Sequence, residues 1–147
     1  MAFEASSPSP YPRWVATVIY DPDCGFCRWC LALLLTWDRG MLHPLPLGSP
    51  EADALLADLT EEQRNASWHL ILDGRRFSAG AALAPALRLL PGGHLPTAVF
   101  ARFPRATERG YRWVADHRGT LGRFVPARAR RWADRVIAAH GGPPAPQ

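Results

Sequence analysis

The chain has 147 residues, of which 48% are hydrophobic, and a formal net charge of +4. This length favours a single domain that is large enough to bury a core, and the composition is ordinary for a globular protein. The most apolar stretch runs from Trp29 to Trp37 and is too short to span a bilayer, which takes about 20 residues.

All 17 basic residues are arginine. They concentrate after Arg102, but they alternate with Asp and Glu, and no recognisable nucleic-acid motif accompanies them. We therefore interpret this region as a solvated face and expect neither nucleic-acid binding nor stable membrane association. Because lysine is absent, any cation that tunes a cysteine must be an arginine, a histidine or a helix end.

The first predicted elements are a lead-in, a strand, a helix and a second strand. Residues 1–14 carry Ser and Pro but no apolar segment typical of a signal peptide, so we expect a disordered lead-in. Val15–Tyr20 is a β-branched, apolar run that predicts a buried strand. Cys24–Asp38 predicts a helix that is apolar nearly all round and therefore buried on several sides. Met41–Leu47 predicts a strand, which its two prolines would confine to an edge.

The middle of the chain predicts helix caps and a hairpin. Ser49 followed by Pro50 begins a helix, and Thr60 to Gln63 has the spacing of a capping box. The strands Trp68–Leu72 and Arg75–Phe77 flank Asp73-Gly74, which is a strong hairpin signal.

The last elements are helical. Gly80–Leu90 completes the order β-α-β-α-β-β-α, which is the order of a thioredoxin-like α/β fold. Beyond Pro91, further helices are expected at Leu95–Phe103, Thr107–His117 and Ala127–His140, interrupted by Pro104, Gly119 and Pro126. These helices are amphipathic, and their apolar residues need cover, namely Leu95, Val99, Phe103, Val114, Phe124, Val136 and Ile137. We thus expect one domain over 15–140, with a C-terminal helical extension from about residue 95, and a disordered tail over 141–147.

The junction between the first strand and the first helix carries Cys24-Gly25-Phe26-Cys27. A C-x-x-C at such a junction is typical of a thiol–disulfide exchanger. Cys24 would lie at the helix N-terminus, where unpaired N–H groups and the macrodipole favour a thiolate, and Cys27 would lie within disulfide reach. Cys24 is therefore the predicted attacking thiolate, and Cys27 the residue that resolves the mixed disulfide.

The residues around this motif resemble a known family. Tyr20-Asp21-x-x-Cys24-x-x-Cys27 is similar to the Asp-x-x-Cys-x-x-Cys signature of the DCC family of thiol–disulfide oxidoreductases. Residues 72–83 and 111–118 resemble that family's hairpin with its following helix and its C-terminal Tyr/Arg segment. Together these stretches span residues 15–125. The resemblance implies a thioredoxin-like fold and redox activity.

Two aspartates precede the first cysteine and admit more than one role. Asp21 is either a proton acceptor for Cys27 during resolution or an Asx-turn residue that shapes the loop. Asp23 either opposes a thiolate by its charge or caps the helix. The candidate catalytic residues are Cys24, Cys27 and Asp21. The candidate cleft residues are Tyr20, Asp23, Phe26, Ser67, Tyr111 and Arg118.

The position that holds a cis-proline in thioredoxins falls here near Ala66-Ser67, where there is no proline. Because a non-proline cis bond costs about 2.5–4 kcal/mol, this loop is expected to be trans. The substrate groove must then be built differently from that of thioredoxin.

Cys30 extends the motif to Cys24-x-x-Cys27-x-x-Cys30, which suggests an alternative site for zinc or an iron–sulfur cluster. No fourth cysteine exists, so a histidine would have to complete it. On a regular helix, Cys30 points about 120° away from Cys24, and it opens a Leu-rich run. We therefore expect Cys30 to be a core residue and no metal to be bound. The histidines considered are His43, His69, His94 and His117.

The sequence thus favours thiol–disulfide exchange through Cys24 and Cys27 on a protein or low-molecular-weight thiol substrate, with no cofactor besides this disulfide. One alternative is a metal-binding or structural module that uses Cys24, Cys27 and Cys30. Another is a partner-binding domain on a thioredoxin-like scaffold with little catalysis. Three clustered cysteines do not form a secreted disulfide framework, so we expect a cytoplasmic protein.

Overall fold

The computed structural model describes residues 16–141, so the expectations for residues 1–15 and 142–147 lie outside the described residues. Its sheet has the strand order β2-β1-β3-β4. β1 pairs with β2 in parallel and with β3 in antiparallel, and β3 pairs with β4 in antiparallel. This arrangement is consistent with the expected thioredoxin-like α/β fold. The strands are β1 (Ala16–Tyr20), β2 (Leu42–Pro46), β3 (His69–Leu72) and β4 (Arg75–Ser78).

The helices follow the predicted order, with one 3₁₀ turn at Ala79–Ala82 between β4 and α4. They are α1 (Gly25–Trp37), α2 (Pro50–Leu55), α3 (Glu61–Ala66), α4 (Leu83–Arg88), α5 (His94–Arg102), α6 (Pro104–Asp116), α7 (Arg118–Arg123) and α8 (Ala127–Ala139).

The core has two parts because alternate residues of β1 point to opposite faces of the sheet. Val18 and Tyr20 belong to a cluster with α1, α4 and α8, to which Leu35 and Ile137 contribute. Ile19 belongs to a second cluster on the other face, with residues of β2 and α2. The strand is therefore buried on both sides, as its run of apolar residues predicted.

The edge position of β2 explains how it tolerates two prolines. Ala16 N–H donates to Met41 C=O, and Leu47 N–H donates to Tyr20 C=O. Since alternate residues of a strand face opposite directions, Pro44 and Pro46 turn their nitrogens away from β1. Their missing N–H groups therefore cost no hydrogen bond within the sheet.

The predicted caps and the hairpin are present. Ser49 Oγ accepts a hydrogen bond from Ala52 N–H at 3.3 Å, and Thr60 and Gln63 form a reciprocal capping box. Asp73 and Gly74 adopt φ values of 50° and 73° between β3 and β4, as a tight primed turn requires.

Two boundaries in the C-terminal half differ from the expectation. Pro104 separates α5 from α6 as expected, but α6 begins at Pro104 itself and not at Thr107, since the fixed φ of proline suits the first turn of a helix and its missing N–H costs nothing there. Gly119 was also expected to interrupt the helices, yet it lies within α7. The C-terminal part thus has one more helix than the sequence suggested.

The expectation that α1 is buried on several sides was wrong in part. Leu31, Ala32 and Leu35 are buried, but Leu33 is 46% exposed and Trp37 is 42% exposed. The indole N–H of Trp37 donates to Pro91 C=O at 2.7 Å. Trp37 therefore covers the surface near α4 and does not enter the core.

Polar contacts join the C-terminal helices to the thioredoxin-like core. On α8, Asp134 lies 3.3 Å from Arg28 Nε of α1. On α6, Glu108 Oε2 accepts a hydrogen bond from Gly80 N–H at 3.0 Å. The assignment of 15–140 to one domain stays a prediction. Several apolar residues that we expected to need cover remain exposed, namely Leu95, Val99, Phe103 and Phe124.

Candidate active site

The two cysteines of the motif lie where the sequence placed them. β1 ends at Tyr20, a turn follows, and Cys24 is the N-cap of α1. Cys24 Sγ is joined to Cys27 in a disulfide, and their Cα atoms are 5.2 Å apart. The same sulfur accepts a hydrogen bond from Cys27 N–H at 3.2 Å. A thiolate at Cys24 would therefore have a backbone donor and the helix N-terminus beside it.

The turn before Cys24 is held by Asp21. Its Oδ1 accepts a hydrogen bond from Asp23 N–H at 2.9 Å, which forms an Asx turn. Its Oδ2 lies 3.7 Å from Arg118 Nη1. The cap of α1 is Cys24 and not Asp23, whose side chain is exposed. Asp23 therefore stays outside the cleft in which we had expected it.

Arginines surround the N-terminal end of α1. Arg28 Nη1 donates to Pro22 C=O at 2.8 Å, and Arg130 Nη2 donates to Gly122 C=O at 2.9 Å. A Cβ on Gly25 would lie 3.6 Å from Arg130 Nε, so this guanidinium lies directly over the residue after Cys24. In a protein that has no lysine, these are the side-chain cations placed around the start of the helix that carries the two cysteines.

A cavity of about 720 Å³ lies beside the disulfide, between α1 and helices α4 to α6. Cys27 is part of its wall, whereas Cys24 is not. The wall brings together most of the residues that we predicted for the site, which are far apart in sequence. These are Tyr20, Asp21, Phe26, Cys27, Ser67, Tyr111 and Arg118.

The tyrosines of the wall are shielded from water. Tyr111 Oη accepts a hydrogen bond from Trp68 N–H at 3.2 Å, which ties α6 to the segment before β3. Burial raises the pKa of Tyr111, and it also raises the pKa of Tyr20. Both phenols therefore stay neutral at physiological pH.

The loop before β3 differs from that of thioredoxin in the way the sequence indicated. No cis peptide bond occurs within residues 16–141, so the loop at Ala66-Ser67 is trans. Ser67 has extended backbone and lines the cavity. The wall here is built from Ser67, Trp68 and the facing helix α6.

The expectation that Cys30 is a core residue was wrong. Its side chain is exposed and lines the cavity beside Cys27 and Leu31. Burial nevertheless raises the pKa of Cys30 to about 11. Cys30 is exposed because it faces the open space of the cavity, and its pKa is raised because the groups around that space are apolar. The helical periodicity gave its direction correctly, but α5 and α6 stand away from α1 there instead of packing on it.

Sequence reasoning missed the far wall of the cavity, which α4 and α5 build with Leu87, Val99, Phe100 and Phe103. A signal for it was present in the spacing of Leu95, Val99 and Phe103, which repeats every four residues along one helix face. We interpreted that face as one requiring cover. Arg130 was likewise predicted only as part of a basic segment.

Metal ligation finds no support in the part of the chain that the structure describes. Among residues 16–141, no group of three or more His, Cys, Asp and Glu side chains is arranged to hold a metal ion. Of the histidines considered as ligands, His69 is buried between Ser78 Oγ at 2.7 Å and Arg64 C=O at 3.0 Å. His117 Nδ1 lies 2.6 Å from Trp113 C=O.

The same described residues contain no helix with the length and apolar character needed to cross a membrane.

Compared with known proteins, the chain matches the model of the DCC1-like thiol-disulfide oxidoreductase family over residues 18–124. No curated protein and no solved structure shows a significant match. The matched range includes the cysteine motif, all four strands except the start of β1, and helices α1 to α7.

Proposed function

Since the chain belongs to the DCC1-like thiol-disulfide oxidoreductase family, we propose that it exchanges thiols and disulfides through Cys24 and Cys27. One observation carries this proposal. Cys24 Sγ caps α1 and accepts the Cys27 N–H at 3.2 Å, while the two sulfurs are within bonding reach of each other. A reactive thiolate and its resolving partner are thus held together by one helix turn.

The reaction begins with the Cys24 thiolate. It attacks one sulfur of a substrate disulfide, forms a mixed disulfide, and releases the other substrate sulfur as a thiolate that takes up a proton. The Cys27 thiol then loses its proton and attacks Cys24 Sγ. This step reforms the Cys24–Cys27 disulfide and releases the second substrate thiol. Two electrons have passed from the protein to the substrate, and the reverse sequence oxidises a dithiol.

We propose Asp21 as the group that accepts the Cys27 proton. Both residues line the same cavity, and Asp21 keeps its orientation through the hydrogen bond from Asp23 N–H at 2.9 Å. Arg118 Nη1 lies 3.7 Å from Asp21 Oδ2 and helps to hold the carboxylate at the cavity wall. The Asx turn and the role as a base are compatible, because they use different oxygens of the carboxylate.

The Cys24–Cys27 pair carries the two electrons as a dithiol and accepts them as a disulfide, so the proposed reaction requires no further cofactor. Its substrates are proteins or low-molecular-weight compounds that carry a thiol or a disulfide. We place the reaction in the cytosol, because the three cysteines lie within seven consecutive residues and do not cross-link distant parts of the chain, as the disulfides of small secreted proteins do. Nucleic acids are not expected as partners, since the arginines of the C-terminal half are mixed with acidic residues.

Trapping experiments with cysteine variants test this function. Cys24→Ser should lower turnover of a disulfide substrate by at least about 100-fold, because it removes the nucleophile. Cys27→Ser should instead accumulate a mixed disulfide on Cys24, which mass spectrometry of a tryptic digest detects. Cys30→Ser serves as the matched control, because it changes the same atom one turn along α1 and should keep turnover. Full activity of Cys24→Ser would overturn the assignment of the nucleophile.

A further inference from the structure

Of the two cysteines of the disulfide, only one lines the cavity beside it. Cys27 belongs to the wall, and so does Cys30 one turn further along α1. Cys24 does not belong to it, and its sulfur lies at the helix N-terminus near Gly25 and Arg130. A molecule inside the cavity therefore meets Cys27, whereas a molecule at the end of the helix meets Cys24.

Polar side chains of the cavity wall already have partners within the protein. Asp21 is bound to Asp23 N–H and Arg118, and Arg118 also donates to Asn65 C=O at 3.4 Å. Tyr111 accepts from Trp68 N–H. The hydroxyls of Ser67 and Thr107 donate to the backbone carbonyls of Trp68 and Phe103. A charged or strongly polar ligand would thus lose its hydration there and gain few hydrogen bonds in return.

The rest of the wall is apolar and large enough for a small molecule. Leu34, Leu87, Val99, Phe100 and Phe103 contribute side chains from three helices. The volume of about 720 Å³ is within the range of small-molecule sites, which is about 300–1,000 Å³. The low polarity is also reflected in Cys30, since burial among these groups raises its pKa to about 11.

Resting on the function proposed above, we propose that this cavity binds an apolar low-molecular-weight thiol or its disulfide, and that this substrate exchanges at Cys27. The protein then has two reactive faces. Substrates that approach the end of the helix react at Cys24, and the apolar substrate in the cavity reacts at the other sulfur of the same disulfide.

The exchange at Cys27 needs no reagent besides the substrate thiol and the protein disulfide. A thiol R–SH in the cavity gives its proton to Asp21 and attacks Cys27 Sγ, so a new R–S–S–Cys27 bond forms and the Cys24–Cys27 bond breaks. The electron pair leaves on Cys24 as a thiolate, which the Cys27 N–H and the helix N-terminus stabilise. A second R–SH then loses its proton and attacks the R–S sulfur, which releases R–S–S–R, and the departing Cys27 sulfur takes up a proton. Two thiols are oxidised to one disulfide, and the protein disulfide is reduced to a dithiol.

Single-cysteine proteins test the proposal. Cys24→Ser with Cys30→Ala leaves only Cys27, and Cys27→Ser with Cys30→Ala leaves only Cys24. Each reacts with ethyl, butyl and hexyl 2-pyridyl disulfides, and absorbance follows the released pyridine-2-thione. Rates are compared between alkyl chains within each protein, so a difference in thiolate content between the two cysteines cancels.

We expect the Cys27-only protein to react roughly 15-fold faster with the butyl than with the ethyl reagent, since each of the two added methylenes contributes about 0.8 kcal/mol on burial, which is about fourfold. The Cys24-only protein should change by less than about twofold over the series, because no apolar wall adjoins its sulfur.

Replacing either of two helical glycines by tryptophan gives a matched pair of variants, one with the cavity filled and one with the cavity unchanged. Gly110 lines it, Gly119 does not, and a Cβ at either position meets no heavy atom within 4 Å. In the Cys27-only protein, Gly110→Trp should abolish the dependence on chain length, and Gly119→Trp should keep it. Equal thermal melting of the two variants in circular dichroism verifies that both are folded.

Three results would overturn the proposal: no dependence on chain length at Cys27, an equal dependence at Cys24, or a dependence that survives Gly110→Trp. An equal gain with a disulfide-linked Leu-Cys-Leu peptide would also overturn it, because the cavity would then accept a protein side chain. Turnover of hydroxyethyl disulfide by the unmodified protein separates this failure from failure of the proposed function. If that turnover persists, the exchange function stands and only the cavity substrate is refuted.

Discussion

The three cysteines of α1 share one helix but have three different environments. Cys24 caps the helix and has a backbone donor, Cys27 is bonded to it and lines the cavity, and Cys30 lines the same cavity as a free thiol. The spacing of the residues was enough to predict that Cys24 lies at the helix N-terminus and that Cys27 lies within disulfide reach of it. It could not predict the environment of Cys30, because helical periodicity gives the direction of a side chain and not the distance to the element that faces it.

A buried histidine gives the fold a defined pH dependence. His69 is 1% exposed, and burial lowers its pKa below the ordinary value of about 6.5. Its neutral ring is bonded on both sides, to Ser78 and to Arg64. Because the unfolded chain takes up this proton more readily, the contribution of His69 to stability is complete above about pH 6.5 and is lost as the pH falls below that value.

We therefore expect the free energy of unfolding, measured by urea titration, to decrease from pH 7 to pH 5. His69→Gln should weaken this decrease. His43→Gln is the comparison, since burial lowers the pKa of His43 as well and its removal should account for a further part. An unchanged pH dependence in His69→Gln would show that the ring does not titrate as its burial requires.

At the scale of elements, the contact between α6 and the 3₁₀ turn positions one wall of the cavity. Gly80 is buried against α6, where Glu108 accepts its N–H. A Cβ on Gly80 would lie 2.7 Å from Glu108 Oε2 and 2.9 Å from Glu108 Cα. The Cα is backbone and cannot rotate away, so any side chain at residue 80 would move the helix.

Gly80→Ala should therefore lower the free energy of unfolding by about 1–3 kcal/mol, as overpacking typically does. Gly110→Ala is the matched control on the same helix pair, because a Cβ there meets no heavy atom within 4 Å. That variant should be neutral or stabilised by about 0.5–1 kcal/mol through better helix propensity. Urea denaturation measures both, and equal effects of the two substitutions would contradict the close packing at Gly80.

Most of the element order was predictable because its signals are local. Capping spacing, the Asp73-Gly74 turn and paired prolines in an edge strand depend on residues that are neighbours in sequence. The interruption at Pro104 was predicted correctly, but the start of α6 was placed at Thr107, because proline both stops a helix and begins one and the local sequence does not decide between these roles. Gly119 was misjudged for a related reason, since its cost in a helix is about 1 kcal/mol and neighbouring contacts easily offset it.

At the scale of the whole molecule, the C-terminal helices convert an exposed redox motif into a site with two sides. α8 packs on α1 and contributes Ile137 to the core, while α6 stands across the cavity and contributes Tyr111. The sequence identified Cys24, Cys27 and part of the wall, but neither the wall built by α4 and α5 nor the cavity itself. A cavity is the space between elements that do not touch, and no pattern within a single element encodes that space.

The central claim is that Cys24 and Cys27 form a reversible dithiol–disulfide couple. A redox titration tests it most directly: the protein is equilibrated in buffers of graded thiol and disulfide content, quenched with an alkylating reagent, and analysed by mass spectrometry after digestion. We expect one two-electron transition, with Cys24 and Cys27 losing and gaining their labels together. Cys30 should stay a free thiol throughout, detected by alkylation after unfolding. A dominant Cys27–Cys30 bond, or the absence of any transition across the thiol range, would contradict the claim.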